Sequence, residues 1–256
     1  MTKDSPFNIL LTAFALCIVC SVLVSTAAIG LKQKQIDNQA LDQKIKILKV
    51  SGLWQDELPI DQMFESVETR LVDLASGEYS NLFAVDEYDQ NKASNDLAQS
   101  IELSRQEDIA GIGRRANLAK VYLVRREGEI VRIVLPIHGY GLWSTLYGYV
   151  TLERDMNTVY AITFYDHKET PGLGGEVDNQ KWQASWRGKQ IYDEQGQPRI
   201  ALIKGSVDRS NAMQKYQIDG LSGATLTSQG VSNMFTFWMG QQGYKKYLEN
   251  IRGDKA

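Results

Sequence analysis

The chain has 256 residues and a formal net charge of −3, from 28 basic and 31 acidic side chains. That is length for one sizeable domain with appendages. A balance so near neutral gives no footing for nucleic acid as a partner.

From Ser5 to Leu31 no residue is charged, and Ile, Leu, Val, Ala and Phe dominate. As a helix this stretch is roughly 40 Å long, enough to cross a bilayer. A cleaved signal peptide is the rival reading, with Ser25 to Ala27 as its cleavage site. Its apolar core runs about 7 to 15 residues, whereas this run continues through Ile29 to Leu31. A retained single-pass anchor follows. Lys32, Lys34, Lys44, Lys46 and Lys49 come after the span and only Lys3 before it. By charge count alone the larger C-terminal part faces the cytoplasm. Cys17 and Cys20, the only cysteines, lie three apart inside the span and share a helix face. They supply at most half of a zinc or iron–sulfur site, so they read as small helix-packing residues and no metal site is expected.

Beyond the span, Ile36, Ala40, Leu41, Ile45 and Leu48 mark one apolar stripe over Gln33 to Leu53, a helical stalk that Gly52 ends. Asp61 to Ala75 reads as a second amphipathic helix. Tyr79 to Glu107 is polar and reads as loops with short helices. Strands are expected at Val121 to Val124 and Ile130 to Ile137, joined as a hairpin by Arg125-Arg-Glu-Gly128. Further strands fall at Tyr147 to Leu152, Val159 to Tyr165 and Ile200 to Lys204. Thr227 to Ile251 is helical with a break near Gly240 to Gly243. Clustered strands with helices at the ends define an α+β fold, a mixed domain behind one transmembrane helix.

The segment Asp219-Gly-Leu-Ser-Gly-Ala-Thr225-Leu-Thr-Ser228 is the most informative in the chain. Its small residues let a ligand come close to the backbone, and a helix follows. A helix start presents unpaired N–H groups and partial positive charge, which suits a phosphate at Thr225 to Ser228. An ordinary Ser/Thr N-cap fits the same spacing.

Three segments accompany it. In His138-Gly-Tyr-Gly-Leu-Trp-Ser-Thr145, the glycines allow a tight loop presenting Leu142, Trp143, Ser144 and Thr145. A flat ring could rest on Trp143 or Leu142, and a buried tryptophan beside a turn fits equally. In His167-Lys-Glu-Thr-Pro-Gly-Leu-Gly-Gly175, the glycine spacing is neither Rossmann nor P-loop. Such a loop brings backbone N–H groups close to a planar heterocycle, with Glu169 and Thr170 able to bond its polar groups, or it simply connects two elements. Lys204 could neutralise a phosphate, or be one more solvated lysine. His138 and His167 read as structural.

Taken in this order, the motifs resemble the FMN-binding domain family whose members carry FMN through a phosphoester to the last threonine of a Ser/Thr-Gly-Ala-Thr core. The Asn8-Ile-Leu span with Cys17 and Cys20, then Leu31-Lys-Gln-Lys-Gln and Ile47-Leu, is similar in particular to the C subunit of the sodium-translocating NADH:quinone oxidoreductase. The G subunit of the Rnf complex shares the flavin motif and is the alternative. The resemblance implies a covalent FMN on Thr225, with Ser222, Gly223, Ala224, Leu226 and Thr227 around its phosphate. Leu142, Trp143, Ser144, Thr145, Glu169, Thr170, Leu173, Gly174 and Lys204 are the remaining cofactor-binding candidates. It implies recognition of Asp219 by a flavin transferase that takes FMN from FAD. It divides the chain into an anchor (1–32), a stalk with the first part of the soluble domain (33–119) and the FMN-binding domain (120–256). It also implies a bacterial inner-membrane subunit that relays electrons beside other subunits, with its soluble domain in the periplasm, against the charge count. No feature of the chain marks an NADH or quinone site, and the span holds no acidic cluster for a sodium path.

Overall fold

The computed structural model describes residues 5–253, and the chain divides into two compact units between Lys44 and Ile45. From Pro6 onward the first unit belongs to helix α1 (Pro6–Ser51). An 18-residue window of α1 has mean hydropathy 2.6 and none of it is buried, so the helix is long and apolar enough to cross a membrane. Cys17 and Cys20 are exposed free thiols on it.

The second unit takes in the last turns of α1, which bury Ile47, Leu48 and Val50. Gly52 ends the helix with φ +72°. The Gly52 N–H donates to Lys49 O and the Leu53 N–H to Leu48 O, the Schellman arrangement in which an αL glycine satisfies the last carbonyls. Arg132 Nη1 caps another carbonyl, that of Ser51, at 2.7 Å. Its guanidinium lies 3.6 Å over the Tyr160 ring.

Short helix α2 (Ile60–Phe64) leads into β1 (Val67–Asp73). The expected helix over Asp61 to Ala75 therefore stops at Phe64. All seven residues of β1 pair antiparallel with β5 (Leu118–Arg126), from Val67↔Val124 to Asp73↔Leu118. The β-branched Val67, Thr69 and Val72 suit that pairing, and tertiary ladder bonds override a helical rhythm in an isolated segment. Between them lie β2 (Tyr79–Ser80), α3 (Gln90–Asn95), β3 (Ser100–Glu102) and β4 (Arg114–Ala116). Of these, β2, α3 and β3 lie in the polar region expected to hold loops and short helices; it holds one short helix, while β2 and β3 are strands because they pair with β1 and β4. The hairpin forms as expected: β5 turns through Glu127 (φ 53°) and Gly128 (φ 85°) into β6 (Glu129–Tyr140). Two consecutive positive φ values match the right-handed twist of the flanking strands. Strands β7 (Thr145–Glu153) and β8 (Val159–Asp166) complete an antiparallel sheet of order β2-β1-β5-β6-β7-β8.

The rest of the chain holds α4 (Gln180–Ala184), the parallel pair β9 (Ala201–Ile203) and β10 (Gln217–Asp219), and helices α5 (Thr225–Trp238) and α6 (Lys245–Gly253). The break between the last two falls where the glycines are. Alternation along the strands separates two cores. Ile133, Leu135 and Ile137 of β6 join Val231, Met234 and Phe235 of α5 in the larger one. Val134 and Tyr149 join Ile47, Leu48 and Met63 in the other. Gly139 and Gly230 let α5 settle close on the end of β6. A Cβ at Gly139 would meet Met234 Cβ at 2.8 Å, and one at Gly230 would collide with the Tyr140 carbonyl.

Candidate functional site

Helix α5 begins at Thr225 because Ser222-Gly-Ala turns the chain out of β10, with Gly223 at φ +70°. The N-cap position is Ala224, and no side chain caps the helix. The ordinary Ser/Thr cap therefore does not form. Ser228, the fourth residue of the helix, accepts the Leu221 N–H at 3.0 Å. The first-turn N–H groups are left without a side-chain acceptor, and together with the helix dipole they favour an anion. Thr225 is exposed at this end.

Two residues on, Thr227 is fully buried. Its Oγ1 donates to Glu169 Oε2 at 2.7 Å. The other carboxylate oxygen of Glu169 accepts the N–H groups of Leu142, Trp143 and Ser144 at 3.1, 2.9 and 3.2 Å. One side chain, 5% exposed, thus ties together the loop after β6, the loop after β8 and the start of α5. Burial raises its pKa, but the Thr227 hydroxyl and the three backbone donors outweigh that and hold it below the ordinary glutamate value. Beyond the ligand contact expected of it, Glu169 has this second task. A second tie runs from the Lys168 N–H to Ser144 Oγ at 2.7 Å.

Glycines make room for the junction. A Cβ on Gly174 would lie 2.6 Å from both Glu169 Oε2 and Thr227 Oγ1, and one on Gly141 would lie 2.7 Å from Glu169 Oε1. All three oxygens are pinned by hydrogen bonds and cannot yield cheaply. Gly174→Ala is accordingly expected to destabilise the second unit by about 1–3 kcal/mol, the cost of overpacking. Urea unfolding monitored by tryptophan fluorescence checks it, and an unchanged midpoint would contradict it.

The same segments expose large apolar side chains. Trp143 is 66% exposed, Leu226 62% and Leu173 43%. Leu173 Cδ2 lies 2.9 Å from where a Cβ of Gly223 would stand, so it borders the turn into α5. Thr170 is exposed too, with its carbonyl accepting the N–H groups of Leu173 and Gly175. Thr145 stands apart, lining a cavity of about 140 Å³ with His138, Tyr147 and Arg114.

Lys204 is exposed just after β9, which pairs Ile203 with Asp219. The Gly220 N–H donates to Gly205 O at 3.0 Å, so the lysine loop runs beside the start of the motif. Asp219 holds that neighbourhood: its Oδ1 accepts the Val207 N–H at 2.7 Å and its carbonyl accepts Trp182 Nε1–H at 2.9 Å. The two histidines take structural places. His138 packs between Tyr147 and Trp238, and burial pushes its pKa down to about 4. His167 Nδ1 accepts the Glu169 N–H at 3.2 Å while Nε2 bonds Asp178 at 2.9 Å. The Asp178 hydrogen bond raises its pKa against the effect of burial.

The sequence marks Gly139 and Gly141 as the glycines of a tight loop, but neither they nor Gly230 signal that α5 packs against the end of β6 and Glu169 against Gly141.

An uncapped helix start with an exposed hydroxyl, beside apolar side chains on glycine loops, is the arrangement expected of the FMN-binding domain family. The profile of that family, described as the FMN-binding domain, matches residues 141–240. Over nearly their whole lengths two curated relatives are similar to the chain. The C subunit of the Na(+)-translocating NADH-quinone reductase of Pseudomonas aeruginosa is 46% identical over 258 residues, 99% of each chain. Its namesake from Vibrio alginolyticus is 46% identical over 251 residues, 98% of this chain and 96% of the other. The crystal structure of Shewanella oneidensis NqrC superposes with TM-score 0.78 at 32% identity, covering 85% of this chain and 99% of that one. The corresponding subunit from Parabacteroides distasonis gives TM-score 0.63 at 26% identity, over 84% and 94%. The chain belongs to the NqrC family, the C subunits of the Na(+)-translocating NADH-quinone reductases.

Proposed function

We propose that this chain is the FMN-carrying subunit of a multi-subunit membrane complex that couples NADH oxidation and quinone reduction to sodium translocation. Family membership supports the complex and the FMN. The covalent attachment to Thr225 and the relay of electrons are our reading of the site. The observation that carries it is the contrast between an exposed Thr225 at an uncapped helix start and a Thr227 buried against Glu169.

The residues present fit the group. The first-turn N–H groups of α5 suit a phosphodiester with one negative charge, and Lys204, next to the Gly205 that meets Gly220, would add a cation. Gly223, Ala224 and Ser222 keep bulk away from the phosphorus. Trp143, Leu142, Leu173 and Leu226 supply apolar cover for a ring, while Ser144, Thr170 and Gly174 are the polar and close-approach positions around it. When bound, FMN supplies the electron-accepting and electron-donating chemistry. The chain's own part is to hold, orient and shield.

Attachment needs an outside enzyme. The Thr225 hydroxyl forms a P–O bond to the FMN phosphorus of FAD, the phosphoanhydride bond breaks, and AMP leaves. A base of the transferase takes the hydroxyl proton. Asp219 lies at the head of the motif that this enzyme would read. Helix α1 is the single-pass anchor in the bacterial inner membrane, and the lipid bilayer its partner. A soluble unit in the periplasm gives covalent attachment a reason, since a dissociating cofactor would be lost there.

Expression of the full chain with a flavin transferase, followed by a denaturing gel, tests this reading. A fluorescent band is expected. A dark band, with a known substrate of the transferase labelled in parallel, would overturn it.

A further inference from the structure

The head of the motif that opens α5 is bound into the fold on several sides. Strand β10 ends at Asp219, paired in parallel with Ile203 of β9. The Asp219 Oδ1 accepts the Val207 N–H at 2.7 Å, across the loop that leaves β9. Its carbonyl accepts Trp182 Nε1–H at 2.9 Å, and the next residue, Gly220, donates its N–H to Gly205 O at 3.0 Å. A Cβ on Gly220 would collide with the Ile203 carbonyl, so the two segments meet with no room for a side chain. The Asp219 charge acts within the fold as well: burial lowers the Lys189 pKa, and Asp219 counters that.

From there the ties run into the turn that carries Thr225. The Leu221 N–H donates to Ser228 Oγ at 3.0 Å, and the Ala224 N–H to Leu221 O at 3.1 Å. Leu221, Ala224, Thr227 and Ser228 are buried, whereas Ser222, Gly223, Thr225 and Leu226 are exposed. The motif divides into positions spent on holding its shape and positions open to an enzyme. Asp219 is half-buried, and its Oδ1 places it with the first group. Among the described residues no hydrogen bond reaches its Oδ2, which is the oxygen left for direct contact with a transferase.

We infer that Asp219 is a positioning residue for the attachment reaction. Its Oδ1 fastens the Val207 loop to the head of the motif and so holds the Ser222–Thr225 turn in the form the transferase accepts; the carboxylate is not itself what the enzyme reads. A loosened turn is competent for only part of the time, and labelling falls with that fraction. The inference rests on the reading of Thr225 as the acceptor.

The initial rate of flavin incorporation separates the two roles, measured on the full-length chain in lipid nanodiscs with FAD and a flavin transferase, at a chain concentration below saturation. Asp219→Asn keeps an acceptor oxygen for Val207 but turns Oδ2 into an amide donor. It should be labelled no more than about threefold more slowly than wild type. Asp219→Ala should be about tenfold slower, the equivalent of one lost hydrogen bond. Val207→Pro removes the donor and leaves Asp219 intact; it should be slowed about as much, with Val207→Ala close to wild type. Because a proline can disturb the loop on its own account, deuterium uptake by the unlabelled chain provides a second reading. Residues 204–211 should exchange faster in Asp219→Ala and at the wild-type rate in Asp219→Asn. The inference is overturned if Asp219→Asn is labelled as slowly as Asp219→Ala, if Val207→Pro is labelled at the wild-type rate, or if uptake in Asp219→Ala is unchanged. A dark wild-type band would overturn the flavin reading and this inference with it, an outcome distinct from a labelled wild type with the wrong ranking of variants.

Discussion

Glu169→Ala is expected to lower the stability of the soluble unit by about 3 kcal/mol, because it strands four donors that share one buried carboxylate. The donors are the N–H groups of Leu142, Trp143 and Ser144 and the Thr227 hydroxyl. For a unit of this size the loss lowers the unfolding midpoint by roughly 6–12 °C. Glu169→Gln should cost much less, about 1 kcal/mol. Its amide oxygen still serves the three N–H groups, and the Thr227 hydroxyl can turn to accept from the amide nitrogen. Thermal unfolding of the full chain in nanodiscs, read by near-ultraviolet circular dichroism, separates the two. Equal midpoints for Glu169→Ala and wild type would mean the loops do not depend on this residue.

The same junction sets an acid limit. Although burial raises the Glu169 pKa, its hydrogen bonds lower it further, so the net folded value lies below the ordinary 4.5. A carboxylate with a depressed pKa contributes stability above its unfolded pKa and loses that contribution as pH falls through the folded one. The difference in stability between wild type and Glu169→Gln should therefore be full at neutral pH and shrink below about pH 4.5.

The second large effect separates two threonines that lie on the same turn of helix. Thr225→Ala should abolish flavin labelling while changing stability by no more than about 0.5 kcal/mol, as for an exposed side chain without partners of its own. Thr227→Val should do the reverse. Its methyl replaces a buried hydroxyl and leaves Glu169 Oε2 without its donor, costing about 1–2 kcal/mol, with labelling retained in the folded fraction. Parallel gels and melts of the two variants check both halves. Labelling that survives Thr225→Ala and disappears in Thr227→Val would reverse the assignment.

The helices and hairpin of this fold are legible in sequence because their signals are local. The uncharged run from Ser5 to Leu31, the αL glycine at Gly52, the turn at Glu127-Gly128 and the glycine break before α6 each act within a few residues. Strand β1 is not legible in the same way. Val67 to Asp73 is amphipathic at helical spacing, and only the partner strand fifty residues later decides its conformation. The site follows the same division. Thr225 and its small neighbours form one contiguous motif, so their character shows in the chain. The junction at Glu169 does not, since it joins residues 27 and 58 positions apart. The sequence offered two readings of the segment that opens α5, a capped helix and an anion site. The structure removes the first, because the N-cap is an alanine and no side chain caps the helix.

The placement of the cofactor on one particular hydroxyl can be tested directly. The full chain, labelled by a flavin transferase and digested with trypsin, yields a peptide running from Tyr216 to Lys245 that holds both candidate threonines. Fragmentation of that peptide by mass spectrometry identifies the bearer. An FMN phosphoester on Thr225 and an unmodified Thr227 are the predicted result. FMN on Thr227, or on no residue of this peptide while the protein is labelled, would contradict it.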